Sequence, residues 1–276
     1  MNIYKPKINR SANRVGLFCN ARDEKNIKEW AAHHLLIGFD SIIIFDHKSI
    51  KPLTEVFSNF DKRILTIRID WTTNNLKQKL MNQAIEISKK MNFDWFIYLD
   101  ADEFFILNKF FKGIKHFLNT FSYADSIGIN WVMFGSNYLV DEPEGLILEN
   151  YNRSCLELDQ HVKSFVRPEL VKYSDNPHYY HMRNQSKMLG LNFKQLQYPQ
   201  CFNKLHMPYY KSPAYIAHYV YQSEETYKKR KVNLAGDDGR LRGDMGKEIH
   251  KLYNDVVNLQ PQKYVNQIKE FLQYYT

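Results

Sequence analysis

The sequence predicts an α/β domain: a mostly parallel central sheet with helices on both faces and a helical elaboration at the C-terminal end. Three observations predict it. Short apolar, β-branched or aromatic runs recur as VGLFCN, SIIIF, ILTIRI and WFIYL between Val15 and Leu99. Stretches with apolar residues at helical spacing lie between them, the β-α-β alternation of a parallel sheet. The last of these runs leads straight into Asp100-Ala101-Asp102-Glu103, and such sheets bind ligands at the carboxyl ends of their strands.

Taken in order, Val15 to Asn20 reads as a buried strand. Ile27, Trp30, Ala31, His34 and Leu35 then form an apolar stripe at helical spacing, and Gly38 ends the helix. Ser41 to Phe45 is the second strand and Ile64 to Ile69 the third. Asn75 to about Lys90 is an amphipathic helix with Leu76, Leu80, Ala84, Ile87 and Met91 toward the core. Trp95 to Leu99 is the fourth strand. Beyond Leu107 the periodicity weakens. SIGINWVMFGSN predicts a long strand entering a polar loop, HVKSFVRPELVKY a strand with a proline bend, and SEETYKKRK a helix capped by Ser223. The glycine-rich stretch Gly236 to Gly246 reads as a mobile loop. A last helix, Pro261 to Tyr275, carries Tyr264, Ile268, Phe271, Leu272 and Tyr275 on one face. The 276 residues are predicted to form one domain: about 14–107 a nucleotide-binding half, 108–235 an acceptor half, and 236–276 loop and closing helix.

Composition narrows the class. Hydrophobic residues make up 44% and charged residues 25%, as in an ordinary globular chain. The formal charge of +8 suits anionic ligands, but the lysines are dispersed and no arginine-rich arm exists, which argues against nucleic acid. Cys19, Cys155 and Cys201 are odd in number and widely spaced, so neither a zinc knuckle nor a disulfide framework is expected. The polar, basic N-terminus has no apolar core and the apolar runs are strand-sized. The expectation is a reducing, cytoplasmic setting, peripheral to a membrane at most, with no transmembrane segment.

In an extended chain Asp100 and Asp102 point the same way. Two such carboxylates repel unless one is protonated or a cation lies between them. A divalent ion, Mg²⁺ or Mn²⁺, meets that need and leaves positions for phosphate oxygens. A Walker-type NTPase is excluded, because no G-x-x-x-x-G-K-[ST] is present. A metal-dependent phosphatase and a non-catalytic binding module on the same scaffold remain alternatives.

One stretch carries a resemblance. ARDEKNIKEWAAHHLLIGFDSIIIFDHKS, followed by WFIYLDADEFF, WVMFGSN, KSFVRP, NPHYY and AHYVYQSEETYKKRK, resembles glycosyltransferases with the GT-A fold of the family 2 and family 92 type over about residues 14 to 231. Asp23 and His47 stand where that pattern has Asn. The resemblance implies a metal-dependent hexosyltransferase using a nucleotide-diphosphate sugar, UDP-linked, with a glycan or other hydroxyl acceptor. It implies a metal held by Asp100, Asp102 and a C-terminal histidine, either His218 or His178. It places Asn20, Arg22, Glu24, Asp46 and Asp100 around the donor, Asp46 reading the uracil N3–H, with Lys163 and Arg167 facing the diphosphate. Glu103 is expected behind the metal ligands, and Trp131 with FGSN along the acceptor groove. Arg240 and Arg242 are expected to reach the phosphates from the glycine-rich loop. An inverting transfer needs a carboxylate base. Asp141, Glu142, Glu144, Glu157 and Asp159 lie in the right interval, and Asp159, just before the HVKS strand, is the choice.

Overall fold

The computed structural model describes residues 11–71, 73–183, 186–196, 202–236 and 240–275. Cys201 and part of the glycine-rich loop, 237–239, lie outside the described residues. In chain order the elements are β1 (Val15–Ala21), α1 (Ile27–Leu36), β2 (Ser41–His47), α2 (Leu53–Val56), β3 (Ile64–Ile69), α3 (Leu76–Lys90) and β4 (Trp95–Tyr98). These are followed by β5 (Glu103–Leu107), α4 (Ile114–Asn119), β6 (Ser126–Met133), α5 (Ile147–Asn150), β7 (Arg153–Ser154) and β8 (Val162–Val166). The remainder comprises β9 (Val171–Asn176), β10 (Tyr179–Met182), β11 (Met188–Gly190), β12 (Ala214–His218), α6 (Glu224–Tyr227), β13 (Val256–Val257) and α7 (Val265–Tyr274).

The expected α/β class is present. A nine-stranded sheet runs β3-β2-β1-β4-β8-β6-β12-β5, with β11 beside β6. Strands β1 to β4 pair in parallel, as do β6 with β11 and β12. Only β8 and β5 run against their neighbours. Alternation along β1 sends Leu17 and Cys19 to one face and Phe18 to the other. The first face packs against α1, α4 and the start of α7. The second packs against α3 and the β9–β10 hairpin. Gly38, at φ +103°, ends α1 in a conformation that a side chain rarely tolerates.

Three expectations need correction. In α3 the buried line is Leu76, Leu80, Met81, Ala84 and Ile85, while Ile87 and Met91 are only half-buried at its margin. The HVKSFVRPELVKY stretch is two strands: Pro168 opens a 3₁₀ turn, and β9 leaves the main sheet to pair with β10. The acidic segment is not extended. Glu103 N–H donates to the Asp100 carbonyl at 3.0 Å, closing a tight turn between β4 and β5, so strand alternation does not set where the carboxylates point.

Candidate active site

The parallel strands β1, β4 and β12 end on one side of the sheet, and the start of antiparallel β8 and of β5 lies there too. His218 at the end of β12 is in register with Glu103 at the start of β5. The motif of α1 secures this corner. Trp30 Nε1–H donates to the Glu103 carbonyl at 2.7 Å, and Phe105 N–H donates to His34 Nε2 at 3.2 Å. Glu29, on the same helix, accepts from the Ile147 and Leu148 N–H groups that open α5. Residues that the resemblance singled out as a block therefore hold the acidic turn in place.

Asp100 accepts from Lys77, in the first turn of α3, and from Lys163 Nζ at 3.1 Å. Burial pushes its carboxyl up, but Lys163 and Lys77 outweigh that and hold it well below the usual carboxylate range. Asp102 is buried, with Arg230 Nη2 at 3.3 Å, Lys231 Nζ at 3.5 Å and His218 Nε2 at 3.7 Å. Its carboxyl is also held far down: burial opposes, and Lys231, Arg230 and His218 prevail. Arg230 bridges to Glu24 Oε1 at 3.0 Å as well. Glu103 is wholly buried and accepts from Asp100 N–H at 2.8 Å. Burial pushes its carboxyl up to about 8, with Lys163 opposing and Asp100 adding. Near neutral pH, Asp100, Asp102 and Glu24 thus face Lys77, Lys163, Arg230 and Lys231. Glu103 Oε1, 3.6 Å from Lys163 Nζ, is a fourth acid in the corner, so four acidic side chains meet four basic ones.

This answers the like-charge repulsion differently from the expected metal triad. Protein ammonium and guanidinium groups lie where a divalent ion was anticipated. Among the described residues, no group of three or more His, Cys, Asp or Glu side chains is placed to hold a metal. Asp102 and His218 nevertheless fit such an ion as a pair. Burial pulls the imidazole down to about 4, so at neutral pH it carries no extra proton, and Nε2 is the ring nitrogen that faces Asp102. Their 3.7 Å separation is too long for a hydrogen bond. Both oxygens of Asp100, the third expected ligand, are engaged by lysines in this structure, Lys77 on one and Lys163 on the other. The rival His178 gives Nδ1 to the Val162 carbonyl at 2.9 Å and lies against Trp131.

The other expected residues divide. Asn20 accepts from Tyr98 OH at 3.1 Å beside the site, and Arg22 is exposed at the end of β1. Asp46 is buried at the end of β2 and already engaged. It accepts from Ser49 N–H at 3.1 Å, Leu53 N–H at 3.0 Å and Arg68 Nη1 at 3.0 Å. Of these partners Arg68 is the one that can yield, since its side chain is 37% exposed. Arg167 is away from the acidic turn. Its guanidinium donates to the Ala124 and Ser122 carbonyls and stacks on Trp95 at 4.2 Å, so it does not reach the acidic turn, where the resemblance had it facing a diphosphate. Arg240 and Arg242 are exposed, and the Arg242 N–H ties the glycine-rich segment to the Lys231 carbonyl at 2.8 Å. Asp159 Oδ1 accepts from both the N–H and the ring Nδ1 of His161, at 2.8 and 2.6 Å. Glu142 binds Lys25 and Lys229 at the surface.

Sequence reasoning missed Lys77, Arg230, Lys231 and His161. Lys77 sits on an otherwise ordinary amphipathic helix, and its target is in another element. The KKRK run reads as the continuation of the helix that Ser223 caps. It instead forms a single π-helical turn, Lys228–Val232, after a short α6 whose Ser223 cap accepts from Thr226 N–H. π-turns recur at functional sites.

The sequence profile of glycosyltransferase family 92 matches residues 16–258. No curated protein sequence matches. Among solved structures, S. aureus TarS is similar with 12% identity and TM-score 0.38, over 57% of this chain and 29% of that one. S. aureus TarS 1–349 in complex with UDP-GlcNAc is similar with 10% identity and TM-score 0.38, over 78% of this chain and 64% of that one. HddC from Yersinia pseudotuberculosis is similar with 10% identity and TM-score 0.36, over 78% and 96%. The chain thus spans less than two thirds of the TarS chains. These structural likenesses are too distant to carry residue roles. The profile spans every strand of the main sheet but the first residue of β1, together with the whole acidic and basic corner, and the chain is a glycosyltransferase of family 92.

Proposed function

We propose that the chain moves a sugar from a nucleotide-diphosphate donor, UDP-linked, to a hydroxyl of a glycan or other acceptor at this strand-end corner. The observation that carries the proposal is the charge arrangement. Lys77, Lys163, Arg230 and Lys231 converge on Asp100 and Asp102, partly buried, where a parallel sheet presents its ligands. A diphosphate brings negative charge that these four cations can meet, and its oxygens would take over from the carboxylates as acceptors. Fixed cations then stabilise the charge that grows on the leaving diphosphate as the sugar bond breaks.

A divalent ion, Mn²⁺ by preference since imidazole joins carboxylate, or Mg²⁺, would be held by Asp102 and His218 and would add to the neutralisation of the leaving group. Lys163 and Lys77 act with or without it. Uridine selection would fall to Asp46, with Arg68 swinging aside to release one carboxylate oxygen to the base N3–H. The acceptor would lie along Trp131, whose half-buried ring faces His161, His178 and His218. UDP-sugars incubated with the protein and Mn²⁺, with UDP release followed, test this proposal. Transfer or slow donor hydrolysis is expected. UDP binding without turnover of any donor would favour the binding module, and phosphate release from phosphomonoesters the phosphatase.

A further inference from the structure

Glycosyl transfer with inversion needs a base for the acceptor hydroxyl, and the sequence supplies several carboxylates without choosing. The structure narrows the choice through Asp159. Its Oδ1 accepts from the His161 backbone N–H at 2.8 Å and from the His161 ring at 2.6 Å. A carboxylate only accepts hydrogen bonds, so the ring proton lies on Nδ1 and the basic lone pair on Nε2. A base oriented by a third group is the arrangement that activates hydroxyls in other enzymes.

The position of His161 is as informative as its pairing. It stands two residues before Lys163 in extended chain entering β8, so the two side chains leave the same face, about 6–7 Å apart along the strand. Lys163 contacts Asp100 in the cradle. Both side chains lie against Trp131: the His161 ring stacks on it with centroids 5.2 Å apart and planes at 24°, and Lys163 Nζ is 5.8 Å from its centroid. His218 packs on the same indole at 4.4 Å. The imidazole is held further by His178 at 5.5 Å and Phe202 at 4.8 Å, and its side chain is 35% exposed, so it is fixed yet open to a ligand. The Trp131 Nε1–H is buried without a protein partner.

We infer that His161 is the proton acceptor for the acceptor hydroxyl and that Asp159 is its positioning residue. The inference rests on the glycosyl-transfer proposal. The acceptor oxygen forms a bond to the donor's anomeric carbon while its proton passes to His161 Nε2. The bond from that carbon to the diphosphate breaks, and its electron pair leaves with the nucleotide diphosphate. The anomeric configuration inverts. Nothing is oxidised or reduced.

The test uses UDP-glucose, UDP-galactose and UDP-N-acetylglucosamine with water as acceptor, following UDP release by wild type, His161→Ala, His161→Gln and Asp159→Asn. With the donor that turns over, His161→Ala should lose about 100- to 10,000-fold in kcat, the usual worth of a general base. UDP affinity and donor KM should stay within about threefold, because the imidazole does not hold the diphosphate. Free imidazole should restore part of the His161→Ala activity and none of the His161→Gln activity, where the cavity stays filled. Asp159→Asn should lower kcat with KM unchanged. The released sugar should show inverted anomeric configuration by NMR. Retained configuration overturns the inference, as does a His161→Ala enzyme within threefold of wild type. Loss of UDP binding in His161→Ala alongside loss of turnover would assign the residue to donor binding and also overturn it. If wild type binds no UDP and turns over no donor, the transfer proposal itself fails, an outcome separate from any behaviour of the variants.

Discussion

At the scale of single residues, Asp102 shows how one carboxylate can serve two partners. It meets Arg230 and Lys231 and, under the proposed function, would share a divalent ion with His218. Asp102→Asn keeps the volume and removes the charge. Mn²⁺ should then no longer strengthen UDP binding. UDP affinity without metal should rise several-fold, because the cradle loses one of the carboxylates that oppose the phosphates. Calorimetry with and without Mn²⁺ checks both. A variant whose UDP affinity still responds to Mn²⁺ as wild type does would remove Asp102 from the metal site. Asp100 and Asp102 were legible in the sequence because three acids interrupt a run that otherwise demands burial. Their partners were not, since a lysine on a helix face looks the same whether it ends in water or on a carboxylate. Arg230 is 128 residues from Asp102 and 206 from Glu24, a separation no local pattern reports.

At the scale of elements, two helix termini matter most. Ser223 is buried at the N-cap of α6, and its hydroxyl oxygen accepts from Thr226 N–H. Ser223→Ala should cost about 0.5–2 kcal/mol, seen as a lowered denaturant midpoint. It should also weaken UDP binding without touching the donor, because α6 carries the π-turn that aims Arg230 and Lys231. Unchanged UDP affinity in a destabilised variant would separate cap from cradle. The second terminus is that of α5, whose first N–H groups are met by Glu29. Burial pushes the Glu29 carboxyl up to about 7 from 4.5, against those hydrogen bonds. The folded chain therefore binds this proton more tightly than the unfolded chain. The stability it contributes is complete below about pH 4.5 and is lost as pH rises through about 7. Glu29→Gln should flatten the fall in Tm across that window, checked by thermal scans at a series of pH values. A slope unchanged from wild type would place the titration elsewhere. The strands and long helices were legible because their periods are strong. The DADE turn was misjudged as extended because flanking strands on both sides suggested continuity, whereas the chain bends there.

At the scale of the whole molecule, the family profile ends at residue 258, yet the chain beyond it is part of the core. Ile268 of α7 is fully buried, and Tyr264, just before α7, packs its ring edge-on against His33 of α1 at 4.7 Å. The closing helix was expected from its apolar face, and Tyr264 and Ile268 lie where that spacing put them. Its last residues, Phe271, Leu272 and Tyr275, pack at the margin of the core. No helix among the described residues is long and apolar enough to cross a membrane. The mostly parallel sheet was legible in its first half, where strands alternate with helices. The second half was not, because β8 and β5 enter against their neighbours and no local pattern reports strand direction.

The cradle's scattered origin has a kinetic consequence. Lys163 meets Asp100 across 63 residues, and Arg230 meets Asp102 across 128. Neither contact can form before the chain has closed long loops, and parallel pairing around them is itself slow. During refolding from denaturant, helical signal should therefore return well before the ability to bind UDP. Stopped-flow circular dichroism set beside a fluorescent UDP-displacement signal measures the lag. Simultaneous recovery would mean that the corner assembles with the first helices. A measurable delay would mark a period in which refolding chains hold their lysines and acids unpaired, after which nucleotide present in solution would stabilise the closed corner by mass action.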